Sequence, residues 1–150
     1  MVHRVDRRRL AGDVLHVVPD VEHERPVAHL GEEDVRFRVL EQVRELPRRA
    51  HHLVREHVAH LGRIDAGHLY IVERQDQVVF TGAFNFKGPF GAGLGGIFTV
   101  PDLRGQGMAA RCTAELARIA LADSPVATLH VDPSNRSALR AYAKAGFRAA

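Results

Sequence analysis

The sequence predicts a single mixed α/β domain, in which an antiparallel strand meander runs into a strand-helix-strand-helix unit. Three observations predict it. The apolar spacing changes from helical in the first third to β-branched and aromatic runs after residue 68. A glycine-rich turn joins a strand-like segment ending at Val100-Pro101 directly to a helix-like segment from Met108. The chain has 150 residues, 45% of them hydrophobic and 26% charged, which suits one core and is short for two.

Residues 1–25 contain one short apolar run, Val14-Leu15-His16-Val17-Val18, and read as an N-terminal arm or an edge strand; residues 26–150 form the domain proper. Val35, Val39, Leu40, Val43 and Leu46 recur at helical spacing behind Glu32, Glu33 and Asp34, whose negative charge suits a helix N-terminus, and Pro47 interrupts the pattern. Leu53, Val54, Val58 and Leu61 predict a second helix capped by Gly62. Leu69–Glu73 and Val78–Phe86 predict a hairpin turning at Arg74-Gln75-Asp76-Gln77, with Lys87-Gly88-Pro89 breaking the second strand. Gly95–Val100 predicts a third strand. Met108, Cys112, Leu116, Ile119 and Ala120 trace one face of a helix that ends near Pro125. Val126–Val131 predicts a fourth strand, Asn135 caps a last helix running to Ala145, and Gly146 fits a helix cap at positive φ.

Composition excludes several classes. No segment approaches the roughly 18 consecutive apolar residues of a membrane-spanning helix, and no apolar stretch follows the basic N-terminus, so no membrane association or secretion is expected. The single Cys112 forms no internal disulfide and no cysteine-rich metal site, which suits a reducing, cytoplasmic location. Residues 1–60 carry eleven Arg against eleven acidic groups, whereas residues 101–150 carry seven basic against four acidic, the whole net charge of +3. This is far from the basic stripe of a nucleic-acid binder, but it suits a small polyanion near the C-terminal third.

The segment with chemistry is Val100-Pro101-Asp102-Leu103-Arg104-Gly105-Gln106-Gly107-Met108-Ala109. Where a strand gives way to a glycine-rich turn and then a helix, successive N–H groups lack intrahelical partners and form a cradle for an anion. Gly105 and Gly107 allow close approach of phosphate oxygens, and Arg104 and Arg111 add charge. No Lys-Ser or Lys-Thr pair follows the glycines, which argues against a P-loop nucleotidase.

Arg104-x-x-Gly107-x-Ala109 resembles the acetyl-coenzyme A pyrophosphate motif of the GNAT superfamily of N-acetyltransferases. The run from Asn135 through Tyr142 to Gly146-Phe147 resembles that family's second signature, and Pro26–Asp34 resembles, more weakly, its first strand and the start of its first helix. The resemblance implies a GNAT-like acyl-CoA N-acyltransferase fold with a central, mostly antiparallel sheet and flanking helices, its C-terminal strands shortened here. It implies an acetyltransferase that moves the acetyl group from acetyl-CoA to an amine by direct attack on the thioester, with no metal. The backbone of Arg104, Gly105, Gln106, Gly107, Met108 and Ala109 would hold the pyrophosphate, and the main chain of Phe98 and Val100 would pair with the pantetheine. Asn135, an N-cap, would also touch the pantetheine, and Tyr142 would protonate the leaving thiolate.

The base is left open among Glu73, Asp132 and His130, since Gly95–Val100 lacks the strand acid common in the family. A small-molecule or peptide amine is the expected substrate, with neither nucleic acid nor membrane as partner. Little chain follows Phe147, so the fourth strand is expected to need a neighbour from a partner chain, the N-terminal arm or a loop; a homodimer or strand exchange is one arrangement that provides it. The alternative to an enzyme is a GNAT-like domain that binds coenzyme A as a sensor or interaction module.

Other features read as structural. Gly91-Ala92-Gly93-Leu94-Gly95-Gly96 matches a dinucleotide fingerprint literally, yet a strand follows it, so it reads as a flexible turn before a bulged strand. His51, His52, His57 and His60 lack a carboxylate or cysteine to complete a metal site, and Arg7-Arg8-Arg9 is a short solvated run. Cys112 occupies a core position of its helix.

Overall fold

A computed structural model of the chain describes residues 13–17, 35–40 and 68–149. Seven strands form one sheet: β1 Asp13–Val17, β2 Val35–Leu40, β3 Leu69–Arg74, β4 Gln77–Gly88, β5 Gly91–Thr99, β6 Ala127–Val131 and β7 Arg148–Ala149, in the order β2-β3-β4-β5-β6-β1-β7. Every pairing is antiparallel except β5 with β6. Helix α1 Met108–Leu121 is the crossover between those two parallel strands, and α2 Arg136–Lys144 follows β6. The mixed α/β plan is that expected from the sequence.

Two expectations are corrected. Val35–Leu40 is not the start of a helix but strand β2, paired along its length from Val35↔Arg74 to Leu40↔Leu69. Val-Arg-Phe-Arg-Val alternates with a period of two as well as fitting a four-residue spacing, and pairing with β3 selects the strand. The glycine-rich Gly91–Gly96 is not a flexible turn but the first two thirds of β5. A Cβ at Gly93 would meet the Phe86 ring, and one at Gly95 would lie 2.6 Å from Asn85 Oδ1, so the strand is built of glycine where β4 side chains fold across it. The predicted helix over Leu53–Leu61, the four-histidine cluster, Arg7–Arg9 and Pro26–Asp34 lie outside the described residues.

The neighbour that β6 needs is β1. Asp13–Val17 runs antiparallel to Val131–Ala127, and Leu15 and His16 pair on their other side with Ala149 and Arg148. Strands β6 and β7, joined through α2, are bridged within the sheet by β1.

The described helices lie on one face of the sheet, the helix face. On the helix face Phe80, Phe84, Leu94 and Leu129 pack with Cys112, Leu116, Tyr142 and Phe147, all buried. Gly82 lies so close beneath Leu116 Cδ1 that a Cβ there would collide with it. Helix α2 is bounded by local signals. The Asn135 Oδ1 accepts the Ala138 N–H at 3.0 Å, and Gly146, at φ +98, closes α2 with Gly146 N–H to the Ala143 carbonyl and Phe147 N–H to the Tyr142 carbonyl. The β3–β4 hairpin turns on Gln75 and Asp76 at φ +51 and +55, the two-residue turn that matches strand twist.

Candidate functional site

Strand β5 leaves β6 partway along. The two pair at Ala92↔Ala127, Gly93↔Thr128 and Leu94↔Leu129, yet β5 continues to Thr99 and β6 to Val131. Beyond Leu94 and Leu129 the parallel strands form a V whose β5 wall carries main-chain groups unpaired by β6. That wall is bent at its start: Gly96 and Ile97 on β5 oppose the single Gly82 on β4, a bulge in which Gly96 takes φ +61 and its carbonyl accepts the Thr81 hydroxyl at 3.0 Å.

Alternation decides which groups face the V. Val100 N–H donates to the Val79 carbonyl at 3.0 Å, and the Val100 carbonyl accepts the Leu103 N–H at 3.1 Å. Phe98, two residues back and opposite Thr81, is in the same phase and turns its main chain to β4. The strand-like pairing expected of Phe98 and Val100 is therefore corrected: the V-facing main chain is that of Ile97 and Thr99. Which of two alternating sets faces the V depends on the register with β4, which no pattern within Gly95–Val100 reveals.

At the mouth of the V the chain makes a single 3-10 turn, Pro101–Leu103, and enters α1 through Gly105 at φ +74 and Gly107 at φ +81. Arg104 N–H pairs back to the Pro101 carbonyl, and the first helical bond is Arg111 N–H to the Gly107 carbonyl at 3.1 Å. The N–H groups of Gly105, Gln106, Gly107, Met108 and Ala109 lie between those two bonds, at the positive end of the α1 dipole. Gln106 Nε2 closes the turn on the Asp102 carbonyl at 2.9 Å. A Cβ on Gly105 or Gly107 would meet nothing within 4 Å, so the space over the turn is open, as an anion cradle requires. The Arg104 side chain does not project into it: Nε donates to the Thr99 carbonyl at 3.0 Å and the guanidinium lies 5.4 Å from the Phe98 ring centroid, tying turn to strand.

Tyr142 lies on α2 in the helix-face core. It is buried beside Phe147, ring centroids 6.4 Å apart, and burial raises its phenol above the ordinary value, so the group is protonated at neutral pH. Asn135 lies at the start of the same helix with its carbonyl oxygen used as the cap.

The three candidate bases separate. Glu73 is on β3, two strands from the V. Asp132 accepts the Ser134 N–H at 2.8 Å, and hydrogen bonds from Ser134 hold its carboxyl below the usual range, which weakens it as a base. His130 is exposed, on β6, one residue past the last pairing with β5. Cys112 is fully buried, with burial pushing its thiol up to about 12, and its Sγ contacts Met108 Sδ at 3.5 Å, so it carries no thiolate at neutral pH. Among the described residues no group of His, Cys, Asp and Glu could hold a metal, and no helix is long and apolar enough to cross a membrane.

A structure from Novosphingobium aromaticivorans, called a putative acetyltransferase from the GNAT family, is 23% identical and matches 93% of this chain and 60% of its own, with a TM-score of 0.57. A GNAT-family acetyltransferase from Colwellia psychrerythraea is 19% identical over 93% of this chain and 53% of its own, TM-score 0.63. A GCN5-related N-acetyltransferase from Kribbella flavida is 16% identical over 92% of this chain and 54% of its own, TM-score 0.57. At these identities the likeness shows a shared fold, and the chain spans a little over half the length of those proteins. No curated protein matches the sequence. The family model described as the acetyltransferase (GNAT) family matches residues 35–147, taking in the V, the cradle and Tyr142, and the chain belongs to that family.

Proposed function

We propose that this chain binds acetyl-CoA in the V between β5 and β6 and transfers its acetyl group to an amine nitrogen. The observation that carries the reading is the coincidence of two features. The parallel pair stops at Leu94↔Leu129 while β5 continues, and the same strand leads straight into the open glycine turn at the N-terminus of α1. A slot lined by unpaired main chain next to an anion cradle suits a ligand with an extended, amide-bearing arm and a pyrophosphate.

Acetyl-CoA supplies the acetyl group activated as a thioester. The N–H groups from Gly105 to Ala109 hold the pyrophosphate, and the main chain of Ile97 with the Thr99 N–H pairs with the arm, the Thr99 carbonyl being taken by Arg104 Nε. A main-chain N–H of the bulged Gly96-Ile97 segment would donate to the thioester oxygen, where a donor that strengthens as negative charge develops contributes about 3 kcal/mol in the transition state. Tyr142, kept neutral by burial, gives its proton to the departing thiolate. The buried thiol of Cys112 takes no part, so transfer is direct.

Thiol release with an amine panel tests this. Tyr142→Phe is expected to lower kcat about 10- to 100-fold and to leave acetyl-CoA affinity unchanged. Unchanged kcat removes Tyr142 from the acid role. Binding of acetyl-CoA without release of thiol in the presence of any amine leaves a coenzyme A-binding module and contradicts the transferase.

A further inference from the structure

We propose that Thr81 on β4 is a positioning residue: its hydroxyl holds the Gly96 carbonyl and thereby aims the Ile97 N–H into the V, toward the thioester oxygen. The inference rests on the reading of the V as the acetyl-CoA slot. It goes beyond that reading in naming one donor of the bulge and the side chain, on the neighbouring strand, that fixes its direction.

The bulge leaves one peptide of β5 outside the ladder. Thr81 pairs with Phe98 and Ala83 with Gly95, so Gly96 and Ile97 share the single residue Gly82 as their opposite number. Gly82 gives them no main-chain bond. Phe84 donates its N–H to the His68 carbonyl at 2.9 Å, and Gly82, two residues back and opposite Tyr70, is in the same phase and turns its main chain to β3. On the other side β6 has stopped pairing at Leu94. The peptide joining Gly96 to Ile97 therefore lacks the cross-strand bonds that fix its neighbours, and glycine, with the widest conformational freedom of any residue, stands at its start.

The Thr81 hydroxyl supplies the missing restraint. Its Oγ1 donates to the Gly96 carbonyl at 3.0 Å, and the residue is 1% exposed, so water does not compete for the bond and the low local dielectric strengthens it. A trans peptide carries its C=O and N–H in opposite directions, and the Gly96–Ile97 peptide is trans. With the Gly96 carbonyl drawn toward Thr81 on β4, the Ile97 N–H points away from β4, to the side on which the V opens. A side chain on the adjacent strand, rather than the ladder itself, sets that direction.

The position matches the reaction. Ile97 lies three residues beyond the last β5–β6 pair, at the narrow end of the V, while the glycine turn lies at its mouth. A ligand with its pyrophosphate at the turn and its arm along β5 brings its thioester to the narrow end. As an amine attacks, the thioester oxygen gains negative charge, and a donor already aimed at it stabilises the transition state more than the ground state. Without the hydroxyl the N–H is still present but free to turn, so the rate falls while the contacts that hold the pyrophosphate and the arm remain.

The test compares Thr81→Val, which keeps the shape and removes the hydroxyl, with Thr81→Ser, which keeps the hydroxyl; Thr81→Ala replaces the valine variant if valine unfolds the chain. For thiol release with an amine, loss of the hydroxyl is expected to lower kcat about 10- to 100-fold and to leave the KM for acetyl-CoA within about threefold, with serine restoring most of the rate. Infrared spectra of bound acetyl-CoA carrying 13C at the thioester carbonyl need no acceptor. The carbonyl band is expected at lower frequency on the wild type and Thr81→Ser than on Thr81→Val, where it lies near its position in the free ligand. The same band on wild type and Thr81→Val, an unchanged kcat in Thr81→Val, or a loss that serine does not repair overturns the proposal. Calorimetric titration with acetyl-CoA separates the two levels: no binding by the wild type refutes the acetyl-CoA slot and the proposal with it, whereas normal binding with Thr81→Val indistinguishable from the wild type in band and rate refutes only the positioning role.

Discussion

Three buried side chains make separate, measurable statements. The Thr113 hydroxyl is fully buried in α1 without a hydrogen-bond partner, a penalty of about 1–3 kcal/mol. Thr113→Val, close in shape, is expected to leave the melting temperature unchanged or raise it; a loss above about 1 kcal/mol reveals a buried partner such as water. The Cys112 thiol, pushed up to about 12 by burial, is expected to resist disulfide reagents at neutral pH until the protein is unfolded, and rapid labelling of the native chain contradicts that packing. Burial also raises the Tyr142 phenol, so the fold favours its neutral form. That contribution is complete below the unfolded value near ~10 and is lost as pH rises through the higher folded value. Stability measured across this alkaline range is expected to fall less steeply in Tyr142→Phe than in the wild type. The use of the Val100 N–H by the Val79 carbonyl was not legible in the sequence, because only the partner strand defines it.

Elements governed by local chemistry were readable and those governed by pairing were not. Asn135 and Gly146 bound α2 through bonds made within a few residues, and Gln75-Asp76 makes its turn unaided, so each was visible as a residue type in its proper place. The strand Val35–Leu40 has two periodicities at once, and β3 chooses between them. In β5 the glycines carry no strand signal, since their role is to lie beneath Phe86 and Asn85 from β4. The turn before α1 is the local element that matters most. A valine at Gly107, held at φ +81, costs about 1–2 kcal/mol in backbone strain and fills the open space over the cradle. Gly107→Val is thus expected to destabilise modestly and to lose acetyl-CoA affinity by at least about tenfold, a pairing of effects that thermal melts with and without ligand resolve.

At the scale of the molecule, one sheet takes its sixth strand, β1, from near the beginning of the sequence. Strand β1 lies between β6 and β7, on the far side of β6 from the V, and a charge count or a motif search at the C-terminal end could not show it. The +3 excess lies in the third of the chain that holds the glycine turn; the arrangement of the V was not legible, because it depends on where two parallel strands cease to pair. In the proposed reading the V and its cradle form one binding slot for acetyl-CoA. A ligand at 100 times its Kd adds about 2.7 kcal/mol to the folded state, which for a chain of this size raises the melting temperature by about 5–10 °C. The most direct test is a calorimetric titration of the wild-type chain with acetyl-CoA, repeated with Gly107→Val. Saturable binding of one molecule per chain, weakened at least about tenfold by the substitution, is the predicted result; no saturable binding by the wild type, or equal binding by both, would contradict it.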